Sequence, residues 1–141
     1  MKKKIIFLFI VLSVILTACK NEEPIDKTMK EEDNGLLIKV SAVEKENHLL
    51  FTTSFENTLQ KSMPLILGGQ SMKIITNGKQ YPTVIKGAAF EKTLKKNETF
   101  KTETLTIPLD KAKGKATIIV SYQEEGKEKE IHFPMNLQES K

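Results

Sequence analysis

The chain has no arginine and no tryptophan, and only one cysteine and two histidines among its 141 residues. Each scarcity removes a class of function. Nucleic-acid sites gather Arg and Lys on one face beside aromatic stacking partners. Here all 22 basic residues are lysine, they are dispersed, and the net charge is only +4. One cysteine makes neither an internal disulfide nor a thiolate zinc site. The histidines, His48 and His132, stand far apart. No G-x-S-x-G elbow or Gly-rich phosphate loop occurs, and Gly68-Gly69 stands alone. The expectation is a non-catalytic protein with no cofactor, no metal and no nucleic-acid partner. The Lys-rich, Arg-free usage suggests a low-GC Gram-positive source.

Long apolar runs are also missing. The longest, residues 5–18, has 14 residues and follows Lys2, Lys3 and Lys4. As a helix it would span roughly 21 Å against a hydrocarbon core of about 30 Å. Charge resumes at Lys20, Glu22 and Glu23. A positive start, an apolar middle and small residues at the end describe a secretory signal. The run closes on Leu16-Thr17-Ala18-Cys19, which resembles the lipobox of bacterial lipoprotein precursors. That resemblance implies cleavage between Ala18 and Cys19 and a lipid on Cys19. Two acyl chains suffice for stable anchoring, at about 0.8 kcal/mol per buried CH₂. The protein is then held at the extracytoplasmic face of the cell membrane. A conventional secreted protein is the rival reading, and it leaves an unpaired exported cysteine to explain.

Residues 1–18 are thus expected to be a signal peptide, residues 19–34 a tether and residues 35–141 a folded domain. Residues 20–34 hold six acids against three lysines, with only Ile25, Met29 and Pro24 as apolar punctuation. Such a stretch buries too little to offset its ordering entropy, and a flexible tether is expected. The 107 residues from Gly35 onward are enough for one core.

Within that domain apolar residues alternate with polar ones, the mark of half-buried strands. Ile38, Val40 and Ala42 form one such set, and Leu49, Phe51, Thr53 and Phe55 another. Leu105, Ile107 and Leu109 share a face within one strand over residues 100–109. Ala116, Ile118, Val120 and Tyr122 follow, then Ile131, Phe133, Met135 and Leu137. Asn77-Gly78 is the strongest hairpin signal, and Pro82 marks its second strand, residues 79–84, as an edge or a short one. Residues 57–62 and 86–98 read as irregular loops. The pattern predicts an all-β, Ig-like antiparallel β-sandwich of about seven to eight short strands, with a small open barrel as the alternative and a monomer as the expected state.

Several features of residues 52–109 resemble the BsuPI family of intracellular proteinase inhibitors, which are small Ig-like sandwiches. They are Phe55-Glu56-Asn57, Pro64-Leu65, Gly69-Gln70-Ser71 before an alternating strand, and Phe90, Leu94 and Glu98 ahead of Phe100. The family's tryptophan after the turn glycine is absent, with Tyr81 the nearest aromatic. Its Leu-Lys-Pro-Gly-Glu turn appears as Leu94-Lys95-Lys96-Asn97-Glu98. The resemblance implies protein binding, most specifically inhibition of a serine protease. Sandwiches usually bind through loops, so residues 57–62 and 86–98 are the candidate binding loops, the second carrying Phe90, Leu94, Lys95 and Lys96. The alternative is an accessory envelope lipoprotein that docks to a wall component or membrane assembly without inhibiting anything.

Three other groupings carry chemistry. His132, Met135, Met72 and Met63 are a soft set that would suit copper, although His132 and Met135 are three apart and face opposite ways in a strand. The glutamates around Gly126 read as a solvated hairpin tip. Lys92, Lys95, Lys96 and Lys101 read as a soluble loop near the membrane, with contact to anionic wall polymer or lipid headgroups as the alternative.

Overall fold

A computed structural model describes residues 23–68, 71–82, 90–112 and 114–137. Within them the alternation is satisfied by eleven antiparallel strands in two sheets. The first sheet runs β1 (Asp26–Asp33), β2 (Leu36–Lys45), β3 (His48–Asn57), with β8 (Thr99–Lys101) and β9 (Leu105–Pro108) both on the far side of β3. The second is built on β10 (Lys115–Glu124), with β11 (Lys127–Asn136) along one side. On its other side β10 pairs β5 (Met72–Thr76) and β4 (Met63–Leu67), which carry β6 (Lys79–Pro82) and β7 (Phe90–Leu94) as outer strands. The sheets pack as a β-sandwich, the expected fold class. Among the described residues no helix is long and apolar enough to cross a membrane.

The strand count exceeds seven to eight for three reasons. Residues 26–33, expected as tether, form β1, paired with β2 along its whole length. Its acids do not prevent this, because an edge strand sends alternate side chains to solvent while Ile25 and Met29 pack against the core. Asp33 and Glu32 also find donors, in Lys129 and Thr58. Phe90–Leu94, expected within an irregular loop, is β7, paired with β4. The single strand expected over residues 100–109 is broken into β8 and β9. At the break Thr102 bonds Thr53 through both its backbone N–H and its hydroxyl, at 2.8 and 3.2 Å.

Tight turns make the hairpins. Asn34-Gly35, Asn77-Gly78 and Glu125-Gly126 join their strands with both residues at positive φ, the geometry that matches strand twist. At Gly35 the φ is +84°, and a Cβ there would lie 2.3 Å from Leu59 Cγ.

Inward faces meet as one core. Phe51, Phe55, Val120 and Phe133 are buried, as their alternation predicts. Phe55 meets Tyr122 of the facing sheet edge-on, with centroids 6.4 Å apart, and the Thr53 hydroxyl donates to Met72 Sδ across the same interface at 3.0 Å. Leu105, Leu109 and Ile131 are only half-buried at the margins. Pro82 lies in the edge strand β6, the position its missing N–H predicts.

Candidate binding face

With one face of β1, β2, β3 and β8 turned inward, their remaining side chains form the outer face of the first sheet. Register fixes which residues share a row. Lys30 stands opposite Lys39, Lys39 opposite Ser54, and Ser54 opposite Lys101. In the next row Thr28 stands opposite Ser41, and Ser41 opposite Thr52. The Thr52 and Thr104 hydroxyls are 3.2 Å apart and extend that row. Along these rows, and reaching Thr99 opposite Glu56 in the next row, runs a groove of about 520 Å³ lined by Thr28, Lys39, Ser41, Thr52, Ser54, Thr99 and Lys101. Its lining has five hydroxyls, two ammonium groups and no carboxylate. Lys39 reaches Glu56, one row away, at 3.3 Å.

A smaller cleft of about 280 Å³ opens where the edges of β1 and β11 approach, lined by Glu31, Glu32, Asp33, Tyr122, Lys129, Glu130 and Ile131. Here Tyr122 donates its hydroxyl to Asp33, and Lys129 donates to Asp33 at 2.8 Å while also pairing with Glu124. The Lys129 hydrogen bond holds the Asp33 carboxyl below the usual carboxylate range, with Tyr122 adding to the effect. Burial, then the Asp33 contact, pushes the Tyr122 phenol well up. Asp33 and Glu124 raise Lys129 in turn. Asn34 donates to Glu124 at 3.2 Å. The cluster clasps the tip of the β1–β2 hairpin to the β10–β11 hairpin, with Lys129 shared between Asp33 and Glu124.

The residues expected to bind are distributed differently from a free loop. Leu94 is fully buried and Phe90 is half-buried, stacked on Phe100 with centroids 4.7 Å apart. Lys95 and Lys96 lie exposed at the turn between β7 and β8. Asn57 braces that turn. Its amide donates to the carbonyls of Lys61 at 2.8 Å and Leu94 at 3.0 Å, and its Oδ1 accepts from the Leu59 N–H at 2.9 Å. Its backbone pairs with Glu98 and Asn97. Glu98 closes the turn by accepting from the Lys95 N–H at 2.9 Å and from Lys92 at 2.8 Å, and the Lys92 contact holds its carboxyl below the usual range. Residues 57–62, expected as an irregular loop, begin with Asn57 as the last residue of β3 and are bolted to the domain through its side chain.

The expected lysine cluster is divided. Lys92 lies over the Phe100 ring and pairs with Glu98, whereas Lys101 lines the groove two strands from Lys39. Sequence reasoning missed Thr28 and Lys30, because their segment was read as tether. It also missed the groove, which gathers residues from four strands. The soft set does not assemble: Met72 and Met135 are buried while His132 is exposed, 3.6 Å from Glu130. His48 is exposed at a turn. Around Gly126, Glu124 is taken by Lys129, and Glu125 and Glu128 are exposed. Among the described residues no group of three His, Cys, Asp or Glu side chains is placed to hold a metal. Ala18, Cys19, Gly69 and Gln70, together with residues 86–89 of the expected loop, lie outside the described residues.

No family model matches the chain, and no curated protein matches it.

Proposed function

We propose that the chain is a lipid-anchored, extracytoplasmic lipoprotein whose β-sandwich is a non-catalytic binding module. It docks to a component of the cell envelope through the outer face of the first sheet. The observation that carries this reading is the groove itself, a broad surface lined by Ser, Thr and Lys side chains on a sheet whose other face is packed against the core. A rigid sheet presents such a surface with little ordering cost on binding. The anchor rests on Leu16-Thr17-Ala18-Cys19.

Two measurements test the reading. Cys19→Ser should move the protein out of the detergent phase and leave precursor or secreted chain. A mature unmodified protein starting elsewhere, by intact mass, defeats the anchor. Immobilised protein should retain an envelope component, Ser41→Tyr in the groove should release it, and Lys127→Glu at the far hairpin should not. Retention indifferent to Ser41→Tyr defeats the binding face.

A second reading is protein binding of the protease-inhibitor kind through the turn carrying Lys95 and Lys96. The bracing by Asn57, Leu94 and the Phe90–Phe100 stack favours it, since an inhibitory segment must lose little freedom on binding. The test is slowed hydrolysis by a subtilisin-type protease, abolished by Lys95→Glu with Lys96→Glu. Rapid cleavage of the intact chain with no inhibition removes this reading.

A further inference from the structure

We infer that the groove on the first sheet binds a linear phosphodiester-linked polyol, lying across the strands with its phosphates on the lysine row and its hydroxyls on the Ser/Thr row. The inference rests on the binding-module reading and names the ligand class of that face.

Charge chooses the sign of the ligand. The two central rows hold Lys30, Lys39 and Lys101 with Ser and Thr, while the carboxylates of the face stand in the outer rows. Glu32 and Glu56 share the row of Leu37, and Asp26 lies in the row of Val43. Lys30 and Lys39 are directly opposed in register, and like charges so placed destabilise a sheet. Glu56 relieves Lys39 from one side. Among the described residues no carboxylate lies within ion-pair distance of Lys30 or Lys101. An anion laid along the row relieves the remaining repulsion.

Geometry and side-chain chemistry choose the class. Neighbouring strands lie about 4.8 Å apart, so Lys30 to Lys39 is one step and Lys39 to Lys101 two, roughly 10 Å. The hydroxyl row is two residues along the strands, about 7 Å away. A ligand filling both rows repeats a charge along one line and hydroxyls along a parallel one. No aromatic side chain lines the groove, so no platform exists for stacking on a sugar ring. Lysine offers compact ammonium groups with rotatable donors, point charges that suit single-charged phosphodiesters on a flexible chain.

The test uses the full chain in detergent micelles, with oligo(glycerol phosphate) as probe and poly-glutamate, neutral dextran and phosphatidylglycerol vesicles as comparators. The oligomer should bind, weaken with added salt because exposed charges are screened, and exceed every comparator. Lys30→Gln with Lys101→Gln should lower affinity by about tenfold, the size expected of two exposed charge contacts. Thr28→Val with Thr52→Val should remove the preference over poly-glutamate. All four positions are at the surface, and unchanged thermal melts verify that the variants fold. Equal binding of poly-glutamate, binding to vesicles alone, or indifference to the lysine pair overturns the inference. If envelope material is still retained in a Ser41-dependent way while the oligomer fails, only the ligand class is wrong. If neither binds, the binding-module reading falls too.

Discussion

The ring of Phe90 lies on that of Phe100, with centroids 4.7 Å and planes 21° apart. The two residues belong to different sheets, so the stack closes one side of the sandwich by joining β7 to β8, and Lys92 covers it from above. Leu94, buried beneath, completes the closure.

Leu94→Ala should therefore cost about 2–5 kcal/mol, the range for a buried leucine. Phe90→Ala should cost less, about 1–2 kcal/mol, because the ring is partly exposed and the aromatic pair adds only a modest increment. Urea denaturation of both variants, with a Phe90/Phe100 double-mutant cycle, checks the order. Equal and negligible costs would falsify the closure.

Asn57→Ala should remove three side-chain hydrogen bonds at once and strand the carbonyls of Lys61 and Leu94 and the N–H of Leu59. Each buried group left unpaired costs about 1–3 kcal/mol. A loss of about 3 kcal/mol is expected, with faster amide exchange at Leu59 and Asn97. Exchange unchanged at both amides would refute the bracing role.

Gly35→Ala meets two obstacles, a φ of +84° and a Cβ 2.3 Å from Leu59 Cγ. The strained backbone alone costs about 1–3 kcal/mol, and the clash adds to it. Adding Leu59→Ala should restore part of the loss and not all, since it removes the clash and leaves the φ. Full recovery in the double variant would show that the backbone conformation contributes nothing.

The Asp33–Tyr122–Lys129 clasp should set both ends of the pH-stability profile. Asp33 is lowered in the fold, so its contribution is complete above its ordinary value of 3.8 and fades as pH falls through the folded-state value. Tyr122 and Lys129 are raised, so theirs is complete below the ordinary values of 10.0 and 10.5 and fades as pH rises through the folded ones. In a Tyr81→Phe background, tyrosinate absorbance should appear only at strongly alkaline pH or on unfolding. Asp33→Asn should bring it in at lower pH and flatten the acid limb of stability. An acid limb identical to the parent's would remove Asp33 from this role.

Much of the sandwich is legible from side-chain alternation. The faces of Phe51, Phe55, Val120 and Phe133 follow from it, as does the hairpin at Asn77-Gly78. Asn34-Gly35 carries the same dipeptide, but the acidic run before it hides the strand it announces. Composition argues against burial, whereas an edge strand needs little burial once its backbone is paired. The binding face is harder to read, because alternation tells which side chains point outward and not which strands become neighbours. Thr28 and Lys101 share a groove only after β1, β2, β3 and β8 assemble. Conversely, Lys92 and Lys101 are close in sequence and part because the chain crosses from one sheet to the other between them.

Pairing of β1 also changes how far the domain can stand from the bilayer. A tether ending at Asn34 would give 15 residues after Cys19 and a reach of roughly 50 Å at full extension. With the first strand beginning at Asp26, and Ile25 already bonded to Glu44, five residues remain between Cys19 and Ile25, about 20 Å at most. On the proposed anchor the domain is held within its own width of the lipid surface. The proposed binding face would then sample only the layer nearest the membrane, where effective ligand concentration is set by leash length rather than by diffusion.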